Sequence, residues 1–536
     1  MKHINKYTTA LIYFIITLIL YWPSKDGKFV GDTLYYLEEI KKDGFRGIFT
    51  SYDMIFHWQF PCLVYYLLHK IFGVSWLGWH LVFSFLHSIN AILIKRVLEN
   101  LLPKKYFLVA LFASFLFLVS PFQSEVVAWG ATLHYLLIVL FFLLSILSIH
   151  SYYTTQRNLH LYLFHVYFIL SLWCFEQAFL FPIVYILYYF FFLKKELFSN
   201  WKNFFIKFTL GNFIIIALYF IATKLYYGVW IAHYGAKTHT QIDFGFLYQN
   251  LINYLNKFFF YYRDLPETLR VFLNKPIFSV IIPLGIVALL GLFYYVNRTD
   301  KKLLSILLFL LLTFGAMLVP VLNLDHSFTF ELQSDRYGYI ASAFFYPFIC
   351  LLVMGLLGKR GLAIFFIVSS MISIPLLIQN NIYWGKSGEI GLGLIKNYPL
   401  KANQKAIILN LPDNYKGAYC LRNGLPDGLH YFKNEIYKPN ILTVAMVNIL
   451  SKNDETEVSQ LDSNIYYVKC KEYGKWYYHQ EIKKGRFEKL DYSIDYDEWN
   501  TAYTLQIKSN QDTLYILKCE GVNWAVIDTL LPQLKN

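Results

Sequence analysis

A small number of charged residues interrupt an otherwise apolar chain, and their types define what chemistry it can do. Asp32 sits in Phe29-Val30-Gly31-Asp32-Thr33-Leu34-Tyr35-Tyr36. A carboxylate fixed at a membrane interface can take a proton from a hydroxyl nucleophile; the plainer reading is an N-cap for a helix over 34–41. Glu125 follows Ser120-Pro121-Phe122-Gln123-Ser124, where a helix dipole favours an acid in the first turn. Glu176 lies in Trp173-Cys174-Phe175-Glu176-Gln177 and needs solvent or a partner, because an unpaired charge at the bilayer centre costs roughly 2.5–3.5 kcal/mol. The run Glu331-Leu332-Gln333-Ser334-Asp335-Arg336-Tyr337-Gly338-Tyr339 offers a guanidinium able to clamp a phosphate through two parallel hydrogen bonds. Its plainer reading is an Asp335–Arg336 surface pair of little energetic value. His80 and His87, close to two helical turns apart, share a face with Asn90 and are expected to pair across helices in preference to touching substrate. No Cys/His spacing of metal-ligand type occurs, so the sequence names no certain cofactor and leaves a divalent metal open but unsupported.

The elements that hold these residues follow from composition. With 57% hydrophobic, 20% aromatic and 15% charged residues, the chain is expected to be an α-helical polytopic membrane protein, since a span takes about 20 apolar residues. Candidate spans are 7–23, 78–100, 106–121, 130–152, 159–174, 177–193, 204–226, 276–296, 303–323, 339–357 and 360–379, about 11 transmembrane helices. Alternate connections carry Lys104-Lys105, Gln156-Arg157, Lys194-Lys195 with Lys202, Arg298 with Lys301-Lys302, and Lys359-Arg360. Cytoplasmic loops retain Lys and Arg. The N-terminus is therefore expected inside, behind an uncleaved anchor, with Asp32, Glu125, Glu176 and Arg336 together on the outer face. The formal charge of +13 reflects this topology and contact with anionic lipid, not nucleic acid.

Two outer loops, 24–77 and 228–275, read as interfacial segments, the first through Trp58-Gln59-Phe60-Pro61 and Cys62 to Leu68, the second through Phe258-Phe259-Phe260-Tyr261-Tyr262-Arg263-Asp264. Residues 1–385 would form the membrane domain and 386–536 an extracytoplasmic soluble domain. Alternating runs such as 464–470, 503–507 and 513–517 make that tail β-rich or α+β. Cys420, Cys470 and Cys519 define no disulfide framework there.

Taken in order, Phe29 to Asp32, Phe60-Pro61, Trp79-His80, His87-Ser88-Ile89-Asn90-Ala91, Pro121 with Glu125 to Trp129, Glu176 with Pro182, and Asp335-Arg336-Tyr337 with Ser342 resemble the GT-C class of membrane glycosyltransferases. The protein O-mannosyltransferase and TPR-linked mannosyltransferase branch is the most similar, over roughly residues 1–385, without TPR repeats. The resemblance implies transfer of a sugar from a polyprenyl-phosphate carrier to a protein, lipid or glycan hydroxyl at the outer face of a bacterial inner membrane. It implies Asp32 as base, with inversion, Arg336 on the leaving lipid phosphate helped by Lys25 or Lys28, and Glu125 positioning a substrate. Where the family often has a second acid this chain has Thr33, and Gln59-Phe60 replaces an Arg before the loop proline, which argues against a carboxylate pair or metal there. Rival readings are another envelope-glycan enzyme (ligase or polymerase), a lipid-linked sugar flippase or transporter, or a non-enzymatic assembly protein. Span centres almost free of charge disfavour ion coupling.

Overall fold

The computed structural model describes residues 6–50, 59–193, 201–228, 230, 243–273, 275–324, 332–422, 424–437, 440–450, 455–470, 476–477, 486–488, 492–497, 502–508 and 512–532. Trp58, Glu331 and 231–242 lie outside them. Among the described residues eight helices are long and apolar enough to cross a membrane, with a ninth if the pair Lys104–Leu118 and Pro121–Ala128, bent by 53°, is one span. The chain is thus an integral membrane protein of the polytopic helical class. The 58-residue helix Tyr339–Lys396 would be roughly 87 Å long at about 1.5 Å per residue, nearly three bilayer cores. It is broken at Gly358 (φ 69°, ψ −168°), a backbone geometry that glycine adopts without the Cβ penalty. With its two arms counted separately, and the shorter apolar helix Asn158–Cys174 added, every apolar stretch of the sequence finds a helix.

Lipid-facing surface is plain on Pro276–Asn297, where Leu284 and Val287 are 61% and 62% exposed. Several of the basic connections come together at one end of the bundle. Lys105 meets Asp300 at 3.4 Å and Asn297 Nδ2 donates to the Gly355 carbonyl at 3.2 Å, so three of the basic connections share one end. Asp32, Glu125, Trp129 and Arg336 gather elsewhere, around a single indole.

The second arm of the broken helix runs past its apolar part to Lys396 and enters the soluble domain. Close approach is possible because Gly385 and Gly388 face backbone: an added Cβ would overlap the carbonyls of Pro23 and Asp26. Trp384 stacks on Trp129, with centroids 6.1 Å apart and planes at 19°.

The soluble domain mixes parallel and antiparallel strands. Strands β1 (Lys405–Ile408), β4 (Ile441–Thr443), β12 (Leu514–Glu520) and β13 (Asn523–Leu530) form a sheet in the order β13-β12-β1-β4, and β1 is parallel to both neighbours. A second sheet, β3-β2-β5-β8, contains β2 (Leu411–Tyr415), β3 (Ala418–Tyr419), β5 (Met446–Ile449) and β8 (Trp476–Tyr477). The third, β6-β7-β11-β10-β9, is antiparallel throughout and contains β6 (Thr456–Asp462), β7 (Ile465–Cys470), β9 (Arg486–Glu488), β10 (Tyr492–Tyr496) and β11 (Ala502–Ile507), the chain crossing from β7 to β9 at the far edge. Parallel pairing of β2 with β5 requires a crossover, and the helix Leu425–Lys433 supplies part of it; helical periodicity in the sequence did not announce it.

Two cores result. One is continuous from Tyr13 and Tyr21 through the bundle to Tyr419, Leu421, Leu425 and Leu429. The other, built on Leu409, Val444, Tyr466, Val468, Ile494, Tyr503 and Leu505, lies wholly within the soluble domain, and β1 contributes to both, Ile408 to the first core and Ile407 to the second. The near half of the soluble domain therefore packs as part of the membrane half. Cys62, Cys174, Cys350, Cys420 and Cys519 are buried.

Candidate functional site

Ser120 ends one apolar helix by accepting the Phe122 N–H at 3.3 Å, and Pro121 starts the next turn, where its missing N–H costs nothing. That bend sets Glu125 in the first turn of Ser124–Ala128. Its buried carboxylate accepts the Arg336 backbone N–H on Oε2 at 2.7 Å and the Arg336 Nη1 on Oε1. Arg336 Nη2 donates to Tyr337 Oη at 2.8 Å. The guanidinium also lies over three rings, Tyr337 at 4.4 Å, Trp129 at 5.4 Å and Tyr419 at 5.9 Å. A buried arginine needs such a partner, because an unpaired charge there would be expelled. Arg336 is held rigidly, facing an aromatic wall.

Asp335 turns the opposite way. It pairs with the buried Lys257 and with Arg263 Nη1 at 2.5 Å, and Arg263 reaches Asp264 at 3.6 Å. Both cations lie over the Phe122 ring, at 5.5 and 5.4 Å. Burial lowers the Lys257 ammonium below its ordinary range, with Asp335 opposing that shift. The Asp-Arg dipeptide is therefore not a self-contained surface pair. One residue fixes the Pro121 turn and the other ties down the helix Phe244–Phe260.

Asp32 opens the helix Asp32–Thr50 instead of preceding it. The turn before it uses Gly31 at φ 51°, and Gly31 N–H donates to the Cys420 carbonyl at 2.9 Å. Trp129 Nε1 donates to the Val30 carbonyl at 2.9 Å, so the indole under Arg336 also holds the Asp32 turn. The Asp32 side chain is exposed. Tyr65, Asp413 and Arg422 lie within its electrostatic range. Arg422 Nη1 donates to Tyr419 Oη at 2.7 Å and its guanidinium sits 5.0 Å from that ring. Tyr419 is thus flanked by Arg336 and Arg422. Burial pushes its phenol up to about 12, although both guanidiniums pull the other way. Burial likewise raises the Asp413 carboxyl, against the pull of Arg422.

Other residues singled out in the sequence lie apart from this group. Lys28 is buried, its Nζ donating to the Val127 carbonyl and lying 4.5 Å from the Phe83 ring centre. Lys25 is half-buried between Trp22 and Trp76, at 5.9 and 5.0 Å. His87 is engaged inside the bundle by Tyr339 Oη at 2.9 Å and the Leu118 carbonyl at 3.1 Å. His80 packs edge-on against Trp22 at 6.0 Å. Glu176 is half-buried at the start of the turn Glu176–Leu180; its neighbour Phe175 meets Tyr135, which meets Tyr337 at 6.4 Å. Thr33 is buried against Gly130. Among the described residues no group of three or more His, Cys, Asp or Glu could hold a metal ion.

Four residues of the site went unassigned in the sequence: Lys257, Arg263, Tyr419 and Arg422. Arg422 precedes Asn423-Gly424, a turn signal, but an arginine in a turn looks like any solvated cation until the fold places it.

Fold and site together define a polytopic helical membrane protein whose soluble α+β domain packs, through Tyr419 and Arg422, against the charged and aromatic cluster around Arg336. No protein-family model matches the chain, and no curated protein matches it. Among solved structures it is similar to ArnT from Cupriavidus metallidurans bound to undecaprenyl phosphate, at a TM-score of 0.41 and 14% identity, covering 84% of this chain and 96% of that one. Apo ArnT from the same organism gives a TM-score of 0.37 with the same identity and coverage. Likeness at this level carries no chemistry, which rests on the side chains.

Proposed function

We propose that the protein is a GT-C type membrane glycosyltransferase that moves a sugar from a polyprenyl-phosphate carrier to an acceptor hydroxyl on the extracytoplasmic face. The observation that carries this reading is the shared indole of Trp129: it holds the turn bearing the exposed Asp32 through Val30 and underlies the guanidinium of Arg336. The same indole thereby links the turn of Asp32, the base of the proposed reaction, to Arg336, its phosphate-stabilising cation.

In the proposed reaction the acceptor oxygen attacks the anomeric carbon from the face opposite the phosphate. The C–O bond to phosphate breaks, its electron pair leaves with the polyprenyl phosphate, and the acceptor proton passes to Asp32. Arg336 stabilises the departing phosphate; Glu125 keeps that arginine in place and is a positioning residue. Preorganised charge usually outweighs the base, which contributes about 10²–10⁴-fold.

The test is transfer by the full-length protein in detergent, using a panel of radiolabelled polyprenyl-phosphate sugars and following release of polyprenyl phosphate. Asp32→Asn is expected to lose about 10²-fold or more at unchanged thermal stability, and Arg336→Ala at least as much. Full activity in Asp32→Asn removes the base assignment.

A further inference from the structure

The hairpin of β2 and β3 is held more tightly than a surface hairpin requires. Cys420 N–H donates to the Asp413 carbonyl at 2.7 Å, Leu421 N–H to Pro412 at 3.2 Å, and Gly424 N–H to Leu421 at 2.6 Å. Ser387 of the long helix donates to the Tyr419 carbonyl, and Gly31 to Cys420. Gly424 packs so closely that an added Cβ would stand 2.6 Å from the Gly31 carbonyl oxygen. Between these ties Arg422 takes φ 43°, a left-handed conformation that costs a non-glycine residue about 1–2 kcal/mol and survives where surroundings over-determine it.

The constraint sets the Arg422 turn directly against the turn that bears Asp32. Gly31 is bonded to Cys420 and packed on Gly424, so the side chains of 32 and 422 emerge from touching turns. Arg422 is half-buried, and among the described residues its one hydrogen bond is from Nη1 to Tyr419. A guanidinium carries about five N–H donors. Arg336 commits Nη1 to Glu125 and Nη2 to Tyr337; Arg422 keeps most of its fork for a ligand.

We propose that Arg422, brought in by the soluble domain, grips the phosphate of the lipid-linked donor directly, while Arg336 supplies fixed positive charge from across the Tyr419 ring. The catalytic centre is then split between the two halves of the chain, and the bundle without residues 397–536 has an incomplete phosphate site. The identity of the ligand rests on the glycosyl-transfer reading above.

The experiment uses the full chain in nanodiscs, titrated with a short-chain polyprenyl monophosphate and, in parallel, with the polyprenol of equal length. Wild type is expected to bind the monophosphate at least about 10-fold more tightly than the alcohol. Arg422→Asn tolerates the left-handed backbone and is expected to weaken monophosphate binding about 10- to 100-fold, with polyprenol binding and melting temperature unchanged. Arg422→Lys recovers part of the loss, as a point charge without the fork. Wild-type monophosphate affinity in Arg422→Asn overturns the proposal while leaving the glycosyl-transfer reading intact. Equal loss of both ligands overturns it too, by making the role structural. If wild type itself fails to prefer the monophosphate, the glycosyl-transfer reading falls with it.

Discussion

Glu125 offers a prediction whose size can be worked from its two bonds. Its carboxylate accepts the backbone N–H of Arg336 at 2.7 Å and the guanidinium of the same residue. Glu125→Ala removes both, leaving a buried cation without its counter-ion at a cost of about 3–5 kcal/mol and a buried N–H unsatisfied at about 1–3 kcal/mol. Glu125→Gln keeps one acceptor and loses the charge, so its cost falls toward the about 1.5–3 kcal/mol of a charge-assisted hydrogen bond. Pairing Glu125→Gln with Arg336→Gln removes both charges together and should cost less than the two single changes summed, by about 0.5–3 kcal/mol of coupling. Thermal unfolding of the full chain in detergent, followed by tryptophan fluorescence, should rank the single variants as wild type, Glu125→Gln, Glu125→Ala, with the Glu125→Gln/Arg336→Gln protein losing less than the sum of its two single changes. Single-variant losses that simply add would refute the argument, as would a Glu125→Ala protein that melts with wild type.

Two further outcomes follow from burial and close packing. Asp413 has a carboxyl raised by burial, so its folded value exceeds its unfolded one; the ionised group costs stability at neutral pH, and that cost disappears as pH falls through the raised value. Asp413→Asn should therefore melt above wild type at neutral pH, with the gap closing toward about pH 4; a constant gap across a pH series would contradict this. Gly388→Ala should lower stability by about 1–3 kcal/mol, because its Cβ would overlap the Asp26 carbonyl; an unchanged melting temperature would show that the helix can shift away freely.

The helices were legible because each rests on its own stretch of chain. The stretch 276–296 appears as Pro276–Asn297 and 78–100 as Trp76–Leu101, and the Lys359-Arg360 connection between 339–357 and 360–379 marked the break that the structure places at Gly358. The continuation of that helix to Lys396 was not legible. Residues 380–396 carry Asn380, Asn381, Lys386 and Glu389 and look like the start of a loop, yet their glycines and Trp384 pack against the Pro23–Lys28 turn and Trp129. In the same way Asp335 and Arg336 stand side by side in the chain but serve partners in different elements.

The sequence by itself determined that this chain crosses a membrane and where its apolar, membrane-crossing helices lie, because a backbone in hydrocarbon must satisfy its hydrogen bonds within the segment, so that apolar length alone decides. It also marked Asp32, Glu125 and Arg336 as charges that have to be explained. Only the tertiary structure decided which charge meets which: Glu125 with Arg336 across 211 residues, Asp335 with Lys257 and Arg263, and the turn of Arg422 against the turn of Asp32. Such pairings depend on how elements pack against one another, and no local pattern of residue types encodes that.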